Sequence, residues 1–239
     1  MWLKISTFTL LPALILQGYK VKKNTPKLPE PVGDRSGHIG NAEKLSILIV
    51  GDSAAAGVGV LEQRDALSGA LITILKDDFL IDWCLYAKTG DDSSKILKSI
   101  QTIQDQNYDV VITSIGVNDV TQLISPKKWI RKQKEIYALI QKKFQPKLIL
   151  ASGVPPMHLF PALPNPLAWL SGQYAKQMNL KLKNYIAENP NMQCVEYDME
   201  KFQKLNLTMA DDGFHPSKEI YQVWADELAM RIRQQFKSS

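Results

Sequence analysis

Cysteine is nearly absent from this chain. Its 239 residues hold two, Cys84 and Cys194, each in an apolar, strand-like run and neither in a C-x-x-C spacing. They read as buried free thiols, with no metal-ligand pattern and no departure from a reducing compartment. Histidine is limited to His38, His158 and His215, so any imidazole base must be one of three. No apolar run reaches the roughly 20 residues needed to span a bilayer. Internal repeats are missing. So is a G-x-S-x-G elbow, since Gly51-Asp52-Ser53-Ala54-Ala55 lacks the final glycine. Gly57-Val58-Gly59 lacks the third glycine of a dinucleotide-binding loop.

Charge of one sign is also missing from most of the chain. The net charge is +5, but residues 1–44 hold seven basic and three acidic side chains, leaving 22 and 21 for the rest. The body is therefore near neutral, which argues against a nucleic-acid surface on it. The basicity sits beside a hydrophobic N-terminus. Residues 5–16 form an apolar twelve-mer that Pro12 is expected to interrupt, followed by Lys20, Lys22 and Lys23. Three readings compete: a signal-peptide core, a membrane-surface anchor, and a helix packed on its own domain. Leu16-Gln17-Gly18-Tyr19 is a poor cleavage site for the first. The adjacent lysines support the second, peripheral membrane contact through residues 1–23. Charge after the apolar run favours a cytoplasmic body, with export as the alternative. Residues 24–42, rich in Pro and Gly, read as a linker, and residues 43–239 as one domain.

What is there is an alternation of strands and helices. Ile47–Val50 is a continuous apolar run that reads as a buried parallel strand. Further strands are expected at 79–86, 108–115, 147–151 and 192–197. Helices are expected at 65–75, after the cap-type run Asp91–Ser94, from Ser125-Pro126 to Phe144, at 167–188 and at 217–235. The pattern calls for a five-stranded parallel sheet with helices on both faces, a three-layer α/β/α sandwich.

In such a sheet, ligands collect outside the carboxyl ends of the strands. The first strand delivers Ser53 there, the second Gly90 and the third Asn118, each just past an apolar run. Serine acyl chemistry needs a nucleophile, a base, a group that orients the base, and donors for an oxyanion. Ser53 is the candidate nucleophile. The backbone N–H groups of Ser53 and Gly90 and the Asn118 amide are candidate donors. His215 lies three residues after Asp212 in a turn, a spacing at which carboxylate and imidazole can meet. Each of these residues taken alone is an ordinary turn or cap; their joint placement is the signal.

Those residues resemble the SGNH hydrolases, also called GDSL esterases and lipases. Gly51-Asp52-Ser53 resembles the family's first block, Gly90 its second, Gly116-Val117-Asn118-Asp119 its third and Asp212-Gly213-Phe214-His215 its last. The blocks occur in family order over residues 46–216. Ala54 departs from the leucine of the family name. The resemblance implies a flavodoxin-like fold and hydrolysis of small-molecule or lipid acyl esters without metal or other cofactor. It further implies a Ser53–His215–Asp212 triad, with Ser53, Gly90 and Asn118 as oxyanion hole. An acyltransferase and a catalytically silent, membrane-associated binding module are the alternatives. The Pro-rich stretch 154–169 matches no motif. Its apolar side chains, with Met157, Phe160 and Trp169 foremost, are expected to form an acyl-binding wall.

Overall fold

The computed structural model describes residues 2–197 and 199–237; the first residue of the N-terminal segment and the last two of the domain lie outside it. In chain order the elements are α1 (Trp2–Asn24), β1 (Ser36–Ile39), β2 (Glu43–Gly51), α2 (Ser53–Ala56), α3 (Leu67–Leu75), β3 (Phe79–Ala87), α4 (Ser93–Thr102), β4 (Val110–Ser114), α5 (Val117–Thr121), α6 (Pro126–Phe144), β5 (Leu148–Ser152), α7 (Leu167–Ile186), β6 (Met192–Val195), α8 (Met199–Lys204) and α9 (Lys218–Phe236).

Among the described residues, six strands form one sheet in the order β1-β3-β2-β4-β5-β6. Five of them are parallel, as expected. The sixth, β1, lies in the stretch read as linker and runs antiparallel to β3, so the sheet is mixed. Ser36-Gly37-His38-Ile39 leaves its side chains largely exposed, so no alternation marks it in the sequence.

The core lies in two layers, split by the alternation of side chains along each strand. Leu48, Val50, Val111, Ile149 and Ala151 face α4, α6 and α7. Leu45, Ile47, Ile49, Val110, Ile112, Leu148 and Leu150 face α3 and α9. Both faces of the central strands are covered, which is why their sequences are continuous apolar runs.

The register aligns the strand ends. Gly51 pairs with both Ala87 and Ser114, Ser114 with Ser152, and Ser152 with Val195. Every loop leaving that row opens on one edge. At the centre of the row, a Cβ on Gly51 would stand 2.6 Å from both the Ala55 side chain and the Ser114 carbonyl. Glycine is required there for the chain to turn from β2 straight into α2.

At the N-terminus, α1 runs unbroken through Pro12, contrary to expectation. Pro12 is exposed, so its ring does not meet the body of the protein. The opposite side of α1 packs on α7: Leu3 and Leu14 are buried, and Thr7 Oγ1 lies 3.0 Å from Tyr174 Oη. Among the described residues no helix is long and apolar enough to cross a membrane.

Candidate active site

Ser53 is the first residue of α2, capped by Asp52, whose Oδ1 accepts from the Ala54 N–H at 3.1 Å. A residue at a helix start has an N–H that no preceding turn can satisfy, so the Ser53 amide is available to an anion. Its Oγ lies 2.9 Å from His215 Nε2, across 162 residues of sequence.

His215 ends a tight turn. Ala210 and His215 close it (Ala210 N–H to His215 carbonyl, 2.9 Å), and Gly213 sits at φ +62° within it. The turn folds over Asp212. One carboxylate oxygen accepts the Phe214 and His215 N–H groups, both at 2.9 Å. The other meets His215 Nδ1 at 2.5 Å. Burial works against this carboxylate, but the backbone N–H and ring of His215 together with the Phe214 N–H outweigh it and hold its pKa below the ordinary range. Asp212 therefore stays charged and presents His215 with a fixed acceptor, leaving Nε2 to face Ser53.

Gly90 and Asn118 come to the same place by different routes. Gly90 is in a turn at φ +80°, with nothing within 4 Å of where a Cβ would stand, so its backbone is open on that side. Asn118 lies in the first turn of α5. Its Nδ2 donates to the Asp91 carbonyl at 3.0 Å and makes a long contact to Asp52 Oδ2 at 3.5 Å. That amide spans from the residue after Gly90 to the residue before Ser53. One proton is committed to Asp91; the other is only weakly engaged and can serve an incoming oxyanion.

Three groups near this edge were not among the candidate residues. Glu30, in the stretch read as linker, accepts both the N–H and the hydroxyl of Thr89 at 2.7 Å and pairs with Arg35 at 2.9 Å. Arg35 also donates to the Ala87 carbonyl. Burial opposes the Glu30 charge, yet the two Thr89 bonds and the Arg35 guanidinium keep its pKa below the ordinary range. Glu30 and Arg35 thus grip the turn that carries Gly90. Asp52 is the third. It is buried, and burial, reinforced by the charges of Asp119 and Asp91, pushes its carboxyl up to about 7 against the pull of the Ala54 N–H.

A cavity of about 680 Å³ opens beside Ser53 and His215, within the size range of small-molecule sites. Phe160 lines it and packs edge-on against Phe214 at 5.2 Å. Met157 and Trp169 do not line it. Met157 is fully buried in the core beneath the Pro-rich loop, and Trp169 stands on α7 against that core. The wall is completed instead by Pro155, Pro156 and Leu159, and from the far side by Tyr197, Phe202, Leu207 and Met209. The latter group lies on and around α8. Asn179 on α7 fixes the start of the loop by holding both the N–H and the carbonyl of Val154 at 2.8 Å. His158 is exposed and packs on Gly172, while His38 is on β1 near Asp82. Neither is bonded to Ser53.

Comparison with known proteins bears on the fold and the family. Curated proteins give no sequence match. Among solved structures, a member of the lipolytic G-D-S-L family from Veillonella parvula DSM 2008 is similar over 82% of this chain and 100% of its own, at 15% identity and a TM-score of 0.65. The lipase Lip_vut3 from a goat rumen metagenome covers 78% and 96% at 17% identity and a TM-score of 0.61. The psychrotrophic esterase EstA from Pseudoalteromonas sp. covers 81% and 99% at 19% identity and a TM-score of 0.58. At such identities these likenesses speak for the fold alone. The model of the GDSL-like lipase/acylhydrolase family matches residues 49–223, a span that holds Ser53, Gly90, Asn118, Asp212 and His215. With most of its length inside that match, the chain belongs to the GDSL-like lipase/acylhydrolase family.

Proposed function

We propose that this protein is a serine esterase that cleaves carboxylic esters through an acyl-enzyme. The observation that carries the reading is the unbroken chain from Ser53 Oγ to His215 Nε2 and from His215 Nδ1 to Asp212, at the mouth of an apolar cavity.

In this mechanism His215 Nε2 takes the Ser53 proton as Oγ attacks the acyl carbon. Asp212, kept ionised by its donors, stabilises the imidazolium that forms. The carbonyl oxygen gains charge and is met by the Ser53 and Gly90 N–H groups and the Asn118 amide. His215 then hands its proton to the departing alcohol. A water, deprotonated by the same nitrogen, attacks the acyl-Ser53 carbonyl, and the acid leaves with Ser53 reprotonated. The acyl chain lies along Phe160, Leu159 and the residues around α8.

The test is a series of p-nitrophenyl esters of increasing chain length, turned over by wild type and by Ser53→Ala. Loss of one triad member lowers kcat by about 10⁴–10⁶ in serine hydrolases, with folding intact because Ser53 sits on an edge. Activity of purified Ser53→Ala within tenfold of wild type sinks the mechanism.

A further inference from the structure

We infer that the outward face of α1 docks on an anionic lipid surface, with the helix lying in the plane of the membrane interface. A helix held to its domain by one apolar stripe is ordinarily polar on the opposite side. This one is not. Positions 3, 7, 10, 14, 17 and 21 face α7 at three- and four-residue spacing. Leu3 and Leu14 are buried there, and Gln17 donates to the Asn165 carbonyl at 2.6 Å and accepts from the Leu167 N–H at 3.1 Å. About 180° round the helix, at 100° per residue, stand Ile5, Phe8, Pro12, Ile15, Leu16 and Tyr19. Their exposure is 53% for Ile5, 79% for Phe8, 62% for Ile15, 64% for Leu16 and 67% for Tyr19. This second apolar stripe is about 21 Å long, and among the described residues nothing covers it.

Charge identifies the occupant. The stripe ends at exposed Lys20, Lys22 and Lys23, and the first acidic residue of the whole chain is Glu30. An apolar ridge that continues into one-signed positive charge is complementary to acyl chains beneath anionic headgroups. A second copy of this near-neutral domain offers no such match. The position fits as well. Gln17 reaches the start of α7, where the Pro-rich loop ends, so the lysine end of α1 lies at the sheet edge that carries Ser53. A docked α1 sets the cavity mouth beside the lipid headgroups.

The experiment is flotation of the full-length protein with phosphatidylcholine vesicles made with or without phosphatidylglycerol. The wild type should float with the anionic vesicles, and raising NaCl from about 0.1 to 0.5 M should release it. Lys20→Gln/Lys22→Gln/Lys23→Gln should weaken anionic binding on the order of 100-fold, about fivefold per lysine. Phe8→Ser/Ile15→Ser/Leu16→Ser should weaken it by at least as much. Both variants change exposed side chains only and should keep the wild-type melting temperature and turnover of a water-soluble ester. The inference is overturned if the wild type stays unbound, if it binds both vesicle types equally, or if the serine variant floats like the wild type. It is also overturned by a concentration-dependent dimer that the serine variant dissolves without vesicle binding. Should the serine variant not fold, the lysine variant and the salt response decide. Flotation reads no catalysis, so failure of the esterase reading and failure of the docking are seen separately.

Discussion

Two buried aspartates flank Ser53, and they are pushed in opposite directions. Asp212 accepts two backbone N–H groups and the His215 ring, and its pKa falls. Asp52 accepts one N–H at 3.1 Å and a stretched amide contact at 3.5 Å, with Asp91 and Asp119 nearby, and its carboxyl rises to about 7. Burial is common to both; the number of donors and the sign of the neighbours decide the outcome. The lesson is that one edge keeps one carboxylate charged beside His215 and raises the pKa of another beside Asn118.

The comparison breaks first at Asp212. Asp212→Asn removes the charge and permits the wrong imidazole tautomer, so kcat should fall by about 10⁴, measured by steady-state kinetics. A drop below tenfold means His215 is oriented by the backbone alone.

Asp52→Asn should act on stability and with the opposite sign. The folded pKa lies above the free value, so the native state holds the proton more tightly than the unfolded chain. Stability from this group is full below pH 3.8, declines as pH rises, and is lost above about 7. Asparagine keeps the cap and has no charge to bury. The variant should therefore gain on the wild type as pH rises, by on the order of 4 kcal/mol at most. Urea unfolding of both proteins across that window reads the difference. Parallel profiles would mean that Asp52 ionises freely.

Asn118→Ala removes the amide that links the two sides of the site. One lost oxyanion donor costs about 10²–10³ in kcat, with KM little changed. An effect confined to KM would make Asn118 a substrate contact.

The smallest effect sharpens the picture at the Gly90 turn. Glu30→Ala frees Thr89 and should lower kcat by about tenfold at constant KM, through misplacement of the Gly90 N–H. Glu30→Gln, which can still accept, should recover part of the loss. Equal losses in both variants would assign Glu30 to charge pairing with Arg35.

Much of this architecture was legible in the sequence because buried parallel strands write themselves as apolar runs, and because Ser53, Gly90 and Asn118 fall at similar offsets beyond three of them. The Asp212–His215 contact is local and so was visible as a spacing. What stayed hidden was non-local or without period. Glu30 meets Thr89 across 59 residues. β1 leaves its side chains largely exposed and so shows no alternation. In the Pro-rich loop, Met157 and Phe160 are both apolar, yet one enters the core and the other the cavity. No periodicity in a loop distinguishes the two. α8 spans six residues, too short for helical spacing to stand out.

β1 has one more consequence, and it is colloidal. Its ladder from Ser36–Cys84 to Ile39–Ile81 occupies the outer flank of β3, and the Leu85 N–H to Arg35 carbonyl bond at 2.7 Å extends the cover. A nine-residue strand left bare on that side is a template on which other chains can add. A protein trimmed at residue 43 would keep its parallel strands and its serine, but would carry an open edge in solution. The stretch that reads as a linker acts as the guard that keeps neighbouring molecules from joining sheet to sheet.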